Sequence, residues 1–213
     1  MDVVAWVADV YWGDAMKPIV RGFKSLTDFK GRDHRGQFWP YAVAIFAAAV
    51  VAAIAACAPS ELKAFNQTLA FAEANPDKAT IYRSSTKVNV VIHDPTGMPP
   101  MDFNGLIVPM SLVLLVVALL MAAAVTRRLH DRGLSGPWAL IPAGLYGVGL
   151  TLWGRMMSSM FTEVSAVDNG AFMISFMLNF LVMMLAQMSM VVLLIVLAIK
   201  GKTGPNRYGP EPV

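Results

Sequence analysis

Residues Phe38–Ala58 read FWPYAVAIFAAAVVAAIAACA, 21 positions without a charged side chain. A lipid hydrocarbon core about 30 Å thick is crossed by roughly 20 apolar residues in a helix, so this stretch has the length and character of a membrane span. Three more runs follow. Leu106–Val125 has 20 uncharged residues, Pro137–Trp153 has 17 with Pro142 and several glycines inside it, and Ala171–Ile199 has 29. At 1.5 Å per residue the last is about 43 Å long, so it is expected to tilt or to begin among the headgroups. The whole chain agrees with its segments: of 213 residues, 56% are hydrophobic and 15% charged, with a mean hydropathy of +0.56. Soluble domains carry about 45–50% apolar and about 25% charged residues. A disordered chain, a disulfide scaffold and a conventional water-soluble enzyme are thereby excluded. The expected fold is an all-α membrane protein, with four transmembrane helices over 38–58, 106–125, 137–153 and 171–199 forming a bundle across 38–199.

Outside the spans lie residues 1–37, a loop at 59–105, connections at 126–136 and 154–170, and a tail at 200–213. Counting Lys and Arg with strict alternation puts twelve on one side of the membrane and five on the other. The richer side is expected to be cytoplasmic, with both termini inside, in a bacterial inner membrane. The first 37 residues lack the early apolar core of a signal peptide. Val3, Val4, Val7, Val10 and Tyr11, then Met16, Ile19, Val20, Phe23 and Leu26, recur at helical spacing opposite Lys17, Arg21 and Lys24. This predicts an amphipathic helical segment, lying on the inner leaflet or packed on the protein's own loops. In the 59–105 loop, Ser60 after Pro59 is expected to start a short helix over Glu61–Glu73, followed by a hairpin of Thr80–Tyr82 and Val88–Ile92. The loop has too few large apolar side chains for an independent domain, so a small extracytoplasmic cap is expected.

Three polar clusters flank the spans. Phe29, Gly31, Arg32, Arg35, Phe38 and Trp39 precede the first. Arg127, Arg128, Leu129, His130 and Asp131, with Gly133, Ser135, Gly136 and Trp138, lie between the second and third. Gly204, Asn206, Tyr208, Gly209, Pro210, Glu211 and Pro212 follow the fourth. Together they make the chain resemble the bacterial inner-membrane family known as domain of unknown function 805, over about residues 26–212. The resemblance implies a multi-span inner-membrane protein and brings no established activity.

The arginine forks suit phosphate, with Asp33 and Asp131 as internal counter-ions. The expected ligand-binding set for an anionic headgroup or phosphate is Arg32, Arg35, Arg127, Arg128, His130, Asp131, Arg132, Asn206, Arg207 and Tyr208. The competing reading makes the arginines topology anchors whose pairs with aspartate lock the loops together. Neighbouring helical residues point about 100° apart, so His130 and Asp131 are not expected to act as a pair. No nucleophile elbow, metalloprotease or P-loop motif is present, and no catalytic, metal or cofactor residue is assigned. Cys57 ends a run that mimics a lipoprotein cleavage box, but three spans follow it and the leader would be unusually long. No span contains Asp, Glu, Lys, Arg or His, which disfavours coupled transport. Ser175, Asn179 and Gln187 share a face that could line a small polar path, although a packing seam is the commoner use, and the stripes Ala44–Ala48–Ala52–Ala56 and Ala143–Gly147 are read as close helix contacts. The expected role is a non-enzymatic organising or regulatory membrane protein contacting anionic lipid or a partner, without nucleic acid. The alternatives are an accessory subunit or homo-oligomer, and a small-solute transporter or lipid-handling enzyme.

Overall fold

The computed structural model describes residues 16–99, 102, 104–162 and 169–212. Helix α1 is described over residues 16–24. It is followed by α2 (Arg35–Ala74), strands β1 (Ala79–Arg83) and β2 (Val88–Ile92), and α3 (Asn104–Asp131). A 3-10 turn at Gly136–Ala139 then leads into α4 (Leu140–Thr162), and α5 (Asn169–Ala198) ends the helical part.

Three helical stretches, Arg35–Ala74, Asn104–Asp131 and Gly170–Ala198, are long and apolar enough to cross a membrane. Their large apolar side chains point outward: Phe46, Val51, Ile54, Leu119, Ile174 and Met177 are all mostly exposed. In water such a belt would drive association, whereas in lipid it meets its own kind. This is the construction of a multi-pass membrane protein. Helix α4 takes up all but the first three residues of the expected third run, which lie in the 3-10 turn, but it is not among the three, because four glycines, Tyr146, Thr151 and Arg155 dilute its apolar character.

The separate helix expected at Glu61–Glu73 does not exist. Helix α2 runs unbroken through Pro40 and Pro59 to Ala74, so the boundary at residue 59 is not a break in the chain. A proline costs its helix one hydrogen bond, and the helix formers around Pro59 outweigh that loss. Ser60 has a different task from capping. Pro109, lacking an N–H, cannot bond the Gly105 carbonyl four residues earlier, and the Ser60 hydroxyl donates to that carbonyl instead at 2.6 Å. Asn75 closes α2 by donating its side-chain and backbone N–H groups to Phe71 O, at 2.8 and 3.0 Å.

The hairpin is where it was expected, antiparallel with Ala79 opposite Ile92 and Arg83 opposite Val88. Arg83 ties it to α2 through Glu73 at 2.5 Å. Its exit is an Asx turn, in which hydrogen bonds from the Thr96 hydroxyl and amide hold the Asp94 carboxyl below the usual carboxylate range. Gly97 follows at φ 89°, a conformation that a side chain would disfavour.

Helices α2 and α3 lie antiparallel, joined near one end by the Tyr41 hydroxyl donating to Leu120 O at 2.9 Å and near the other by Ser60 and Gly105. Helices α4 and α5 form a second antiparallel pair. There, buried Asn179 donates to Gly149 O at 3.0 Å, and the Tyr146 hydroxyl donates to Gln187 Oε1 at 2.7 Å. These polar residues of α5 are therefore used in packing on α4. Asn179→Leu should cost under about 1 kcal/mol, since hydrogen bonds between membrane helices average about 0.6 kcal/mol. A melting-temperature loss above a few degrees in detergent would contradict that. The two helix pairs meet chiefly at one end, around a buried cluster of Phe38, Tyr41, Ile45, Ala124, Leu129 and Leu197.

Helix α1 packs against that same end. Gly22 is pressed against the Tyr41 ring, and Phe23 meets this ring edge-on at 5.5 Å and 87°. Met16, Val20 and Phe23 stay about half exposed, beside exposed Lys17, Arg21 and Lys24. The earlier half of the expected amphipathic segment, Val3 to Trp12, lies outside the described residues.

Candidate functional site

All three polar clusters arrive at the end where the helix pairs meet. Helix α3 is responsible for the central one. It continues six residues past the expected end of its span, so Arg127, Arg128 and Asp131 belong to its final turns. A Schellman cap stops it: Leu134 N–H bonds Leu129 O and Gly133 N–H bonds His130 O, both at 2.9 Å, with Gly133 at φ 78°. The glycine after Arg132 is thus a helix stop.

Asp131 is the centre of the cluster. Its Oδ1 accepts from Arg32 Nε at 3.1 Å and Nη2 at 2.9 Å, while Oδ2 accepts from Arg128 Nη1. Arg32 spends its remaining donors on the tail, reaching Lys202 O at 2.5 Å, Gly204 O at 2.7 Å and Gly209 O at 3.4 Å. Arg128 caps the end of α5, donating to Leu197 O at 2.8 Å and Ile199 O at 2.5 Å, and also reaches Asp33 O at 3.2 Å. A helix end leaves carbonyls without partners, and this guanidinium supplies them. Arg132 bonds Lys200 O in the same way, while its buried Nε has no partner.

Asp33 is a second centre. Arg127 Nε donates to its Oδ2 at 2.8 Å, and the Arg127 Nη1 group holds Ser25 O and Asp28 O. Arg21 Nη2 stands 2.9 Å from Asp33 Oδ1 as an ion pair without hydrogen-bond alignment. Arg32, Arg127, Arg128, Asp33 and Asp131 are all buried. Three guanidiniums therefore face two carboxylates, and backbone carbonyl dipoles offset the surplus positive charge.

The tail closes the arrangement. Lys202 N–H bonds Asp131 O at 2.9 Å, and Asn206 Nδ2 donates to His130 O at 3.0 Å. Tyr208 stacks on His130 with ring centroids 3.7 Å apart and planes 6° apart, and the Arg207 guanidinium lies 4.7 Å from the Tyr208 ring centre. The other contact of His130 is Nδ1 to Gly31 O at 3.2 Å. His130 and Asp131 thus serve different partners, as their angular separation on the helix requires. Gly201 passes so close that a Cβ there would collide with the Asp131 carboxylate.

A family model described as protein of unknown function (DUF805) matches residues 26–210. The chain belongs to the DUF805 family. No curated protein and no solved structure matches it. The match covers every residue of the junction just described except Arg21 and Ser25.

Of the ten sequence candidates, the structure brings nine together in one connected junction and leaves Arg35 facing solvent, without an ion pair among the described residues. Four residues outside that set matter as much. Asp33 is a charge centre and Gly201 permits the tail's approach, while Lys200 and Lys202 stand exposed beside Arg35. Asp33 was legible as a counter-ion, but the signal of the lysines was faint: two lysines after an apolar run look like any topology anchor. Among the described residues no three His, Cys, Asp or Glu side chains converge as a metal site would require.

Proposed function

We propose that this DUF805 protein is a non-enzymatic organising or regulatory protein of the bacterial inner membrane. In this reading α4 makes a fourth crossing beside the three apolar helices, and both termini and the arginine junction are cytoplasmic. The basic end lies against anionic headgroups of the inner leaflet, with α1 resting its half-exposed apolar side chains among them. One observation carries the reading. Lys24, Lys30, Arg35, Lys200, Lys202 and Arg207 are exposed around the junction, and none is ion-paired among the described residues. Each such cation near an anionic surface contributes about 1 kcal/mol. The buried arginines then hold the basic end together, while the exposed cations make the contact.

Changing all six cations to glutamine should leave the protein inserted and folded but remove its enrichment for anionic lipids, measured by mass spectrometry of the purified full-length chain. Equal lipid content in both proteins would end the proposal, as would reporter fusions placing Val213 or the Gly133 turn outside.

A second reading, an accessory subunit or homo-oligomer, is favoured by small residues facing outward: Ala48 and Ala52 on α2, and Gly144 and Gly147 on α4, both exposed with open space where a Cβ would sit. Small residues let helices from different chains approach closely. A lone band near 23 kDa in native electrophoresis of gently solubilised membranes would count against it.

A further inference from the structure

We infer that the cleft between the start of α2 and the tail is a phosphate site, filled by the headgroup of one anionic phospholipid. The inference rests on the lipid-facing reading above and gives it a defined seat. The cleft measures about 430 Å³, and its lining includes Arg35, Lys200, Lys202, Arg128, Asp131 and Glu211.

Those six residues divide by what they already hold. Arg128 and Asp131 neutralise each other as the floor, and the Arg128 donors are taken by Asp131 and by backbone carbonyls. Glu211 is turned to its own segment, where its Oε2 accepts the Gly204 N–H at 2.6 Å. Arg35, Lys200 and Lys202 have no carboxylate partner among the described residues and are exposed. Arg35, Lys200 and Lys202 thus border the opening together with one carboxylate, Glu211, which leaves it net positive, and the Lys202 ammonium lies over the Gly133 turn at its edge. The start of α2 adds to them, since no acidic residue occupies its first turn to offset the positive end of the helix dipole. A phosphate diester has the charge and the acceptor oxygens to satisfy this set, and the arginine offers it a planar two-pronged contact.

The position of the cleft favours a lipid as the source. Arg35 comes three residues before Phe38, where the apolar run of α2 begins, and Lys200 directly follows Ile199, where that of α5 ends. The opening thus lies at the depth where these helices leave the hydrocarbon. Ile195 and Ile199, which precede Lys200 in the chain, are exposed and offer an acyl chain an apolar surface. The volume exceeds what a bare phosphate fills and leaves room for the glycerol and the rest of the headgroup.

The test uses the full-length protein in neutral detergent, titrated with short-chain phosphatidylglycerol or with inorganic phosphate and read by native mass spectrometry. The expected result is one saturable lipid per chain, bound at least tenfold more weakly by the Arg35→Gln/Lys202→Gln variant. Lys24→Gln/Lys30→Gln/Arg207→Gln, which thins the diffuse basic face and spares the cleft, should weaken binding by less than threefold. An unchanged melting temperature in each variant keeps the comparison one of binding. Equal weakening in both variants would overturn the cleft and leave the diffuse basic face standing. No weakening in either would overturn both. Displacement by inorganic phosphate at concentrations equal to the lipid's would keep the site and assign it to a soluble phosphate ester, removing the membrane reading beneath it.

Discussion

Asp131→Asn is expected to destabilise the protein by about 3–5 kcal/mol, the usual cost of stranding a buried charge. The substitution keeps the shape of the side chain and removes its charge. Arg32 and Arg128, both buried, then share a neutral amide, and one of its two polar atoms is a donor aimed at donors. No rotation avoids this, because the two carboxylate oxygens each serve a different arginine. The expected readout is a melting temperature lower by roughly 10 °C in detergent, taking about 2–4 °C per kcal/mol for a chain of this size. Proteolysis of the tail should become faster as well. Asp94→Asn, which removes an exposed carboxylate from a surface turn, is the control and should barely shift the melt. A near-native melt for Asp131→Asn would mean that the junction is not what joins the two helix pairs.

Gly22→Val is expected to detach α1 while leaving the rest of the protein folded. The added side chain would enter the Tyr41 ring, which is itself buried between helices and cannot swing aside. Overpacking of this kind costs about 1–3 kcal/mol. Here the cheapest relief is to release α1, giving up the edge contact between Phe23 and Tyr41 and the bonds from Arg127 to Ser25 O and Asp28 O. Trypsin should then cut after Arg21 and Lys24 at least tenfold faster, while the main melting transition moves far less than in Asp131→Asn. An unchanged cleavage rate would show that α1 is not held at Gly22.

Several features were legible from short stretches alone. The uncharged runs at 38–58 and 106–125 reappear inside α2 and α3, and that at 171–199 in α5 up to Ala198, because transferring apolar side chains to lipid depends on each residue rather than on its neighbours. The hairpin was legible too, since alternation and a tight turn are local. Helix ends were read less well. Pro59 followed by Ser60 looks like a stop and a start, yet Ser60 answers a carbonyl that Pro109 leaves open on another helix. The Gly133 stop was hidden inside a motif that invited a chemical reading.

The candidate site divides along the same line. That arginine, histidine, aspartate and tail residues matter was visible in their clustering. Which of them are already occupied was not. Arg32 reaches Asp131 across 99 residues and Gly209 across 177, and only those contacts show that its donors are full and that Arg35, Lys200 and Lys202 remain open. By itself the sequence determined that this is a helical chain for a membrane, with its charge gathered beside the apolar runs, because both properties add up residue by residue. Tertiary structure alone decided which charges hold the protein together and which face outward. A guanidinium has a limited number of donors, and the partners that use them come from segments far apart in the chain.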